Sequence, residues 1–152
     1  HTATVRASAL PDHGRYRGDN VVIHLGYPNG SQAVIAYLAN GDRSLGKERI
    51  EGHAGGRSAM LDDFRALELA SGGKCRKRRE WLRQDKGHRS ECVAFVKAIE
   101  RGGPPPIPLD DIFATTAATF AALESLRTGE VVHVPEQPWI SKRTDTTAVN
   151  HA

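Results

Sequence analysis

Hydrophobic and polar residues alternate with a period of two along the first half of the chain, which is the pattern of half-buried β-strands. The clearest signal is a pair of runs rich in Val, Ile, Leu and Tyr at residues 20–27 and 31–39. Between the two runs, Asn29 and Gly30 are residue types that tolerate the positive φ angles of a tight turn. The pattern therefore predicts a β-hairpin over residues 20–39.

Further strands are predicted at residues 2–9, where polar and apolar residues alternate, and at residues 47–53, 57–62, 65–70 and 74–82. Gly55-Gly56 and Gly72-Gly73 separate the later runs and allow the chain to reverse its direction. Strands joined by short turns usually pair with their neighbours along the chain. We therefore expect six or seven strands in a largely antiparallel sheet.

Beyond residue 84 the period of the apolar positions changes to about 3.6, which is typical of amphipathic helices. The first predicted helix ends at Gly102-Gly103, because glycine accepts the left-handed conformation of a helix C-terminus. The second begins after Pro108 and ends at Gly129, and residues 131–134 are predicted as a last short strand. The apolar side of the first helix comprises Cys92, Phe95, Val96 and Ile99.

Strands followed by helices, without regular β-α alternation, favour an α+β fold. We expect an open, mainly antiparallel β-sheet with two helices packed on one face. Runs such as residues 21–23 and 33–36 are continuously apolar, so the uncovered face of the sheet is expected to pack against a partner or a missing domain. This expectation points to a homo-oligomer that assembles through the open face.

The length of 152 residues fits one domain, and a content of 39% hydrophobic and 26% charged residues is ordinary for a globular protein. We place the domain at residues 1–134 and expect residues 135–152 to form an extended or disordered tail. Because the chain begins at His1 without an initiator Met, we interpret it as a fragment of a longer polypeptide.

The sequence favours a cytoplasmic protein that does not cross a membrane. No apolar stretch approaches the roughly 20 residues that span a bilayer, and the first residues do not have the pattern of a signal peptide. Cys75 and Cys92 lack the spacing of a disulfide framework or a thiolate metal site. This cysteine usage fits the reducing cytoplasm.

The basic residues are concentrated in one stretch. The formal net charge is +3, but seven of the 21 Lys and Arg residues lie at residues 74–86, and the rest of the chain is slightly acidic. This stretch and Trp81 could bind a polyanion or nucleic acid, with phosphates on the basic residues and a base on the indole. However, strand alternation sends half of the charges to each face, so a solvated edge strand is the favoured interpretation and nucleic-acid binding is not expected.

No segment has the spacing of a cofactor or metal site. The glycine pairs match neither the dinucleotide fingerprint nor the phosphate-binding loop, so we expect no cofactor-binding residues in this chain. Asp62-Asp63 is interpreted as a turn and not as an acid-base pair. We also expect no metal site, because the histidines lack paired ligand spacing; those considered are His24, His53, His88 and His133.

One short segment combines three titratable side chains with a glycine, at the junction between the basic strand and the first helix. These side chains belong to Asp85, Lys86 and His88. A loop at such a junction can face a substrate. The alternative is a polar segment that only leads into the helix, with Asp85 capping free amides. We retain the three residues as candidate substrate-facing residues.

Five segments, taken in order, carry a family resemblance: residues 30–37 (GSQAVIAY), 47–51 (KERIE), 56–64 (GRSAMLDDF), 84–88 (QDKGH) and 122–129 (ALESLRTG). Together they resemble the C-terminal domain of Gfo/Idh/MocA oxidoreductases, the relatives of glucose-fructose oxidoreductase and inositol dehydrogenase. The resemblance covers about residues 1–134. It is strongest to the branch in which this module follows a zinc-type alcohol dehydrogenase-like region.

The resemblance implies a division of labour. In that family an N-terminal Rossmann domain binds NAD or NADP, and a Glu-Lys-Pro-type segment and a D-x-x-x-H-type helix act on the sugar hydroxyl. None of these has a counterpart in this chain, so no catalytic residue is assigned and His1 receives no role. The second domain of the family forms one wall of the substrate pocket and associates with other subunits through its open sheet.

These observations predict the substrate-binding and oligomerisation domain of an NAD(P)-dependent oxidoreductase that acts on a sugar, sugar nucleotide or cyclitol. Alone, the domain is expected to be inactive, and its expected partner is the missing Rossmann domain. Two alternatives stay open at this point. One is a homodimerising interaction module without a substrate, and the other is polyanion binding through residues 74–86.

Overall fold

A computed structural model describes residues 3–11, 13–14, 18–79 and 84–135. The strands within them pair in antiparallel fashion, which confirms the predicted α+β class. The chain divides into two compact units, Gly41–Gly103 and the residues on either side of it. The elements are β1 (Thr4–Ala9), β2 (Asn20–Gly26), β3 (Gln32–Leu38), β4 (Arg49–Ala54), β5 (Arg57–Asp62), β6 (Ala66–Ser71), β7 (Lys74–Arg79), α1 (His88–Glu100), α2 (Leu109–Thr128) and β8 (Val132–His133).

The first unit contains a four-stranded sheet in the order β3-β2-β1-β8. The predicted hairpin over residues 20–39 is confirmed, with Gly26 opposite Gln32 in the register of β2 and β3. Gly30 takes the left-handed conformation with φ of 82°, as expected for this turn. Asn29 acts through its side chain instead, because its Oδ1 accepts a hydrogen bond from the Ser31 amide at 3.0 Å.

Helix α2 covers one face of this sheet, and the core of the first unit lies between them. Val5 and Ala7 point from β1 towards the small side chains of Ala121 and Ala122 on the helix. Such small residues let the helix approach the strand closely. Gly129 ends the helix with φ of 77°, which confirms the predicted C-terminus.

The second unit contains the other four-stranded sheet, in the order β4-β5-β6-β7, and the helix α1. Consecutive hairpins join its strands, and Gly55-Gly56 and Gly72-Gly73 turn the chain with positive φ angles as predicted. Helix α1 contains no buried residue, and Phe95 and Ile99 on its predicted apolar side are 53% and 66% exposed. Within its own unit, this side of α1 is therefore open.

The division into two sheets was not predicted. Strand β3 ends at Leu38 and β4 begins at Arg49, and turns and bends occupy much of the ten residues between them. A tight hairpin would have paired the two strands, but this longer loop does not hold them in register. The strands consequently pair in two separate groups of four.

Among the described strands of the first sheet, the large apolar side chains that are exposed all lie on the edge strand β3. Val34 and Leu38 lie on the face opposite α2, together with Arg6 and His24, so the uncovered face is mixed in character. The alternate residues, Ile35 and Tyr37, lie on the α2 side beyond the reach of that helix.

Two sequence predictions concern residues that the structure does not describe. These are Trp81, in the last part of the predicted strand over residues 74–82, and the predicted tail after Pro135. Within the described residues, no helix combines the length and hydropathy needed to cross a membrane.

Candidate substrate-facing site

The segment before α1 is held in place by hydrogen bonds to its own backbone and to the turn after β5. The side chain of Gln84 donates from Nε2 to the carbonyl oxygen of Asp63 at 2.7 Å. Asp85 accepts a hydrogen bond on Oδ1 from the amide of Gly87 at 2.9 Å. Asp85 thus closes a local turn before the helix. Gly87, with φ of 81°, is the residue that immediately precedes α1.

Lys86 is engaged with the protein. Its ammonium group forms an ion pair with Oε1 of Glu48 and lies 5.7 Å from the centre of the Phe64 ring. An ammonium at this distance over an aromatic face is attracted to it. The other carboxylate oxygen of Glu48, Oε2, is buried and has no hydrogen-bond partner among the described residues. Lys86 therefore joins its segment to the residue that precedes β4 and to the turn that carries Phe64.

That turn adopts an unusual backbone conformation. Asp63 and Phe64 have φ angles of 47° and 52°, a left-handed region that a bulky residue seldom occupies. The amide of Asp63 donates to the carbonyl of Glu48 at 2.7 Å, and its Oδ1 accepts from the amide of Lys47 at 3.2 Å. These contacts hold the turn, and strain of this kind is common at functional sites.

The segment and the turn border an open depression of about 990 Å³ in the second unit. It brings together all three residues singled out from the sequence. Its floor is apolar, with Phe64 and Leu67, and three arginines supply further hydrogen-bond donors. The lining residues are Leu61, Phe64, Arg65, Ala66, Leu67, Arg78, Gln84, Asp85, Lys86, His88 and Arg89.

The chemistry of the depression suits recognition of a polar ligand. Asp85 retains a carboxylate oxygen, Oδ2, without a partner among the described residues, and His88 has both ring nitrogens available. Carboxylate and imidazole groups can bind hydroxyl groups, while the apolar floor can lie under a ring. Such an arrangement orients a ligand but does not by itself supply a redox reaction.

Sequence reasoning missed Glu48 and Phe64. Both lie in segments that carry the family resemblance, KERIE and GRSAMLDDF. The pattern gave no reason to connect them with Lys86, because Glu48 is 38 residues away along the chain. The two adjacent aspartates before Phe64 did indicate a turn at this place, as the sequence pattern predicted.

The described residues do not fit a dinucleotide cofactor. A dinucleotide site needs a parallel strand that leads through a glycine-rich turn into a helix. The described strand pairs are antiparallel, and Pro108, which offers no amide hydrogen, precedes α2. No group of three or more potential metal ligands occurs among the described residues either.

The same fold occurs in solved oxidoreductase structures. Levoglucosan dehydrogenase in complex with NADH and levoglucosan matches 90% of this chain with a TM-score of 0.73 and 19% identity. An oxidoreductase from Agrobacterium radiobacter, in complex with NAD+, L-tartaric acid and magnesium, matches 88% with a TM-score of 0.70 and 19% identity. Aldose-aldose oxidoreductase from Caulobacter crescentus, complexed with glycerol, matches 88% with a TM-score of 0.67 and 19% identity.

These relatives are oxidoreductases of the Gfo/Idh/MocA type, so the resemblance predicted from the sequence is confirmed for the fold. The chain spans less than half of their length, namely 46%, 43% and 41% in the same order. No family model and no curated protein sequence matches the chain.

Proposed function

We propose that this chain is the substrate-binding and assembly domain of an NAD(P)-dependent oxidoreductase that acts on a sugar, sugar nucleotide or cyclitol. The observation that carries the proposal is the fold, which 88–90% of this chain shares with less than half of levoglucosan dehydrogenase, bound to NADH and levoglucosan, and of the NAD+-bound oxidoreductase from Agrobacterium radiobacter. In this proposal residues 1–134 form the second domain of the enzyme. The Rossmann domain, with NAD or NADP and the catalytic residues, is supplied by another part of the polypeptide.

Within this domain, Asp85 and His88 face the substrate and bind its hydroxyl groups. Lys86 holds the segment in position through Glu48 and Phe64. The cofactor supplies hydride transfer in the intact enzyme, and this chain contributes one wall of the pocket that orients the reacting carbon. The reaction itself therefore does not occur on this chain alone.

The division of labour is tested by calorimetric titration of the 152-residue chain with NADH and by NMR titration of the same chain with a panel of sugars and cyclitols. We expect no tight binding of NADH. At least one polyol is expected to shift the amide resonances of residues 84–89, and His88→Ala should abolish that shift. His24→Ala is the matched control, because His24 lies in the first unit and bonds to Gln32. Tight NADH binding would contradict the proposal unless Arg57→Gln and Arg76→Gln abolish it, because the diphosphate of NADH can bind to exposed arginines without a dinucleotide site. Polyol binding that His88→Ala leaves unchanged would also contradict it.

Assembly in this proposal uses the open face of the first sheet. Val34 and Leu38 are 63% and 48% exposed there, and an exposed apolar edge strand tends to pair or pack with another surface. Sedimentation should show a dimer or larger species that Val34→Glu dissociates. Tyr37→Glu adds the same charge to the same strand at an exposed position on the α2 side of the sheet, and should leave assembly intact. A monomeric wild-type chain would overturn the assembly role while leaving the substrate role standing.

A further inference from the structure

The two faces of the second sheet differ in charge: the charged residues of one face are all basic, whereas the other face carries equal numbers of acidic and basic residues. In the register of β5, β6 and β7, Arg57 is opposite Ser71, which is opposite Lys74. The next row on the same face places Leu69 opposite Arg76. The acidic residues of this sheet, Glu51, Asp62 and Glu68, lie on the other face.

The cations on the two faces also differ in their partners. On the face that holds the carboxylates, Lys77 bonds to Glu68 at 2.8 Å, and this hydrogen bond raises the pKa of Lys77. On the opposite face, Arg57, Lys74 and Arg76 form no ion pair with any of the described residues. Neighbouring like charges repel, and no described carboxylate pairs with these three cations to offset that repulsion.

Edge protection explains only part of this arrangement. Lysine and arginine on the edge strand β7 do prevent association with other strands. However, Arg57 lies on the interior strand β5, where no edge needs protection. Edge protection also gives no reason to collect the carboxylates on the opposite face.

The three cations surround a shallow depression of about 1220 Å³. Neighbouring strands are about 4.8 Å apart, so Arg57 and Lys74 are separated by roughly 10 Å across the sheet. Lys74 and Arg76 are about 7 Å apart along β7. Ala59 and Leu69 form an apolar floor between them, and Ser71 adds a hydroxyl group.

We propose that this depression binds a compact ligand that carries a diphosphate group, of the nucleoside diphosphate class. Two guanidinium groups and an ammonium group can each bond to phosphate oxygens, and arginine does so through two parallel hydrogen bonds. The apolar floor receives the nucleoside. Arg78 continues the same face one row beyond Arg76 but lines the neighbouring depression, so the proposed site comprises Arg57, Lys74 and Arg76.

The test is calorimetric titration of the 152-residue chain with UDP, ADP and inorganic pyrophosphate in low salt. We expect saturable binding of a nucleoside diphosphate, weakened about tenfold or more by Arg57→Gln and by Arg76→Gln, as for the loss of a charge-assisted hydrogen bond. Lys77→Gln is the matched control, since it removes the same charge from the same strand on the opposite face. It should leave the affinity unchanged.

Three outcomes would overturn the inference. One is the absence of saturable binding by any of the three ligands. Another is an equal loss of affinity in Lys77→Gln and Arg76→Gln, which would indicate diffuse attraction to net charge. The third is tighter binding of heparin that the same substitutions weaken, which would indicate a polymeric ligand. The inference does not depend on the proposed oxidoreductase role, because neither NADH nor a polyol is used in its test.

Discussion

The hydroxyl group of Ser125 accepts a hydrogen bond from the backbone amide of Ala7 at 2.8 Å, across 118 residues of sequence. The same hydroxyl donates to the carbonyl oxygen of Glu130 at 2.6 Å. Ser125 is completely buried, so water does not compete for either bond. One side chain thus attaches the end of α2 both to β1 and to the chain that continues into β8.

Replacing Ser125 by Ala should therefore destabilise the chain. The amide of Ala7 would remain buried without a partner, which costs about 1–3 kcal/mol. Urea denaturation measures the loss. Thr119→Ala removes a hydroxyl group from an exposed position of the same helix and should change stability by less than about 0.5 kcal/mol. Equal effects of the two substitutions would show that the bond to Ala7 contributes nothing.

Sequence patterns located the elements of this fold because each has a local cause. The hairpin depends on Gly30, and the end of α2 depends on Gly129, both of which take left-handed conformations. The grouping of strands into two sheets is not local. It depends on the loop between Leu38 and Arg49, whose pattern of polar residues does not specify which strands it brings together.

The candidate site shows the same limit. Asp85, Lys86 and His88 could be singled out because they are adjacent and chemically conspicuous. Their supporting residues could not, since Glu48 is distant along the chain and the left-handed conformation of Phe64 contradicts the preference of its residue type. That conformation is stabilised by the tertiary contacts of the turn that contains Asp63. The local conformational preference of the residues does not favour it.

Gly46 is expected to be required for this turn. A Cβ atom at Gly46 would lie 2.9 Å from Cβ of Asp63, closer than such atoms approach in proteins. Gly46→Ala should displace Asp63 and its bond to Lys47 and cost about 1–3 kcal/mol in urea denaturation. Gly52→Ala meets no atom within 4 Å and should be neutral or stabilising by about 0.4–1 kcal/mol. A stable Gly46→Ala variant with unshifted resonances at residues 63–64 would refute this role.

The pair Glu124 and Arg127 on α2 should give a measurable titration. The guanidinium of Arg127 donates to both carboxylate oxygens, at 2.6 and 2.9 Å, and these hydrogen bonds lower the pKa of Glu124 below its ordinary value of 4.5. Because the folded-state pKa is lowered, the pair stabilises the fold above the ordinary pKa. That contribution is lost as pH falls through the lowered value.

NMR titration of the Glu124 side chain should therefore have its midpoint below 4.5, and Arg127→Met should return the midpoint to the ordinary range. The effect on stability is small, because both side chains are exposed. Arg101→Met removes a cation elsewhere in the chain and is the control for a general change in net charge. Identical midpoints in wild type and Arg127→Met would show that the pair does not form in solution.

Substitutions in the ion pair between Lys86 and Glu48 can show whether Lys86 positions its segment or contacts the substrate directly. Both side chains are only about one third exposed, at 32% and 37%, and Oε2 of Glu48 is buried. Lys86→Met should therefore destabilise the chain, and Glu48→Gln should reduce the effect of that substitution. A double-mutant cycle in urea should give a coupling of about 1 kcal/mol. The pair of Arg127 and Glu124, whose side chains are 71% and 48% exposed, should give less than about 0.5 kcal/mol.

Substitutions of Lys86 also separate its effect on the stability of the chain from its effect on polyol binding. If Lys86 positions the segment, Lys86→Met should weaken binding of a polyol only in proportion to the disorder it causes at residues 84–88. Lys86→Arg preserves the charge and should largely restore both stability and binding. A Lys86→Met variant with unchanged stability but no polyol binding would instead show that the ammonium group contacts the ligand. The Glu48 pair would then be a resting contact that the substrate displaces.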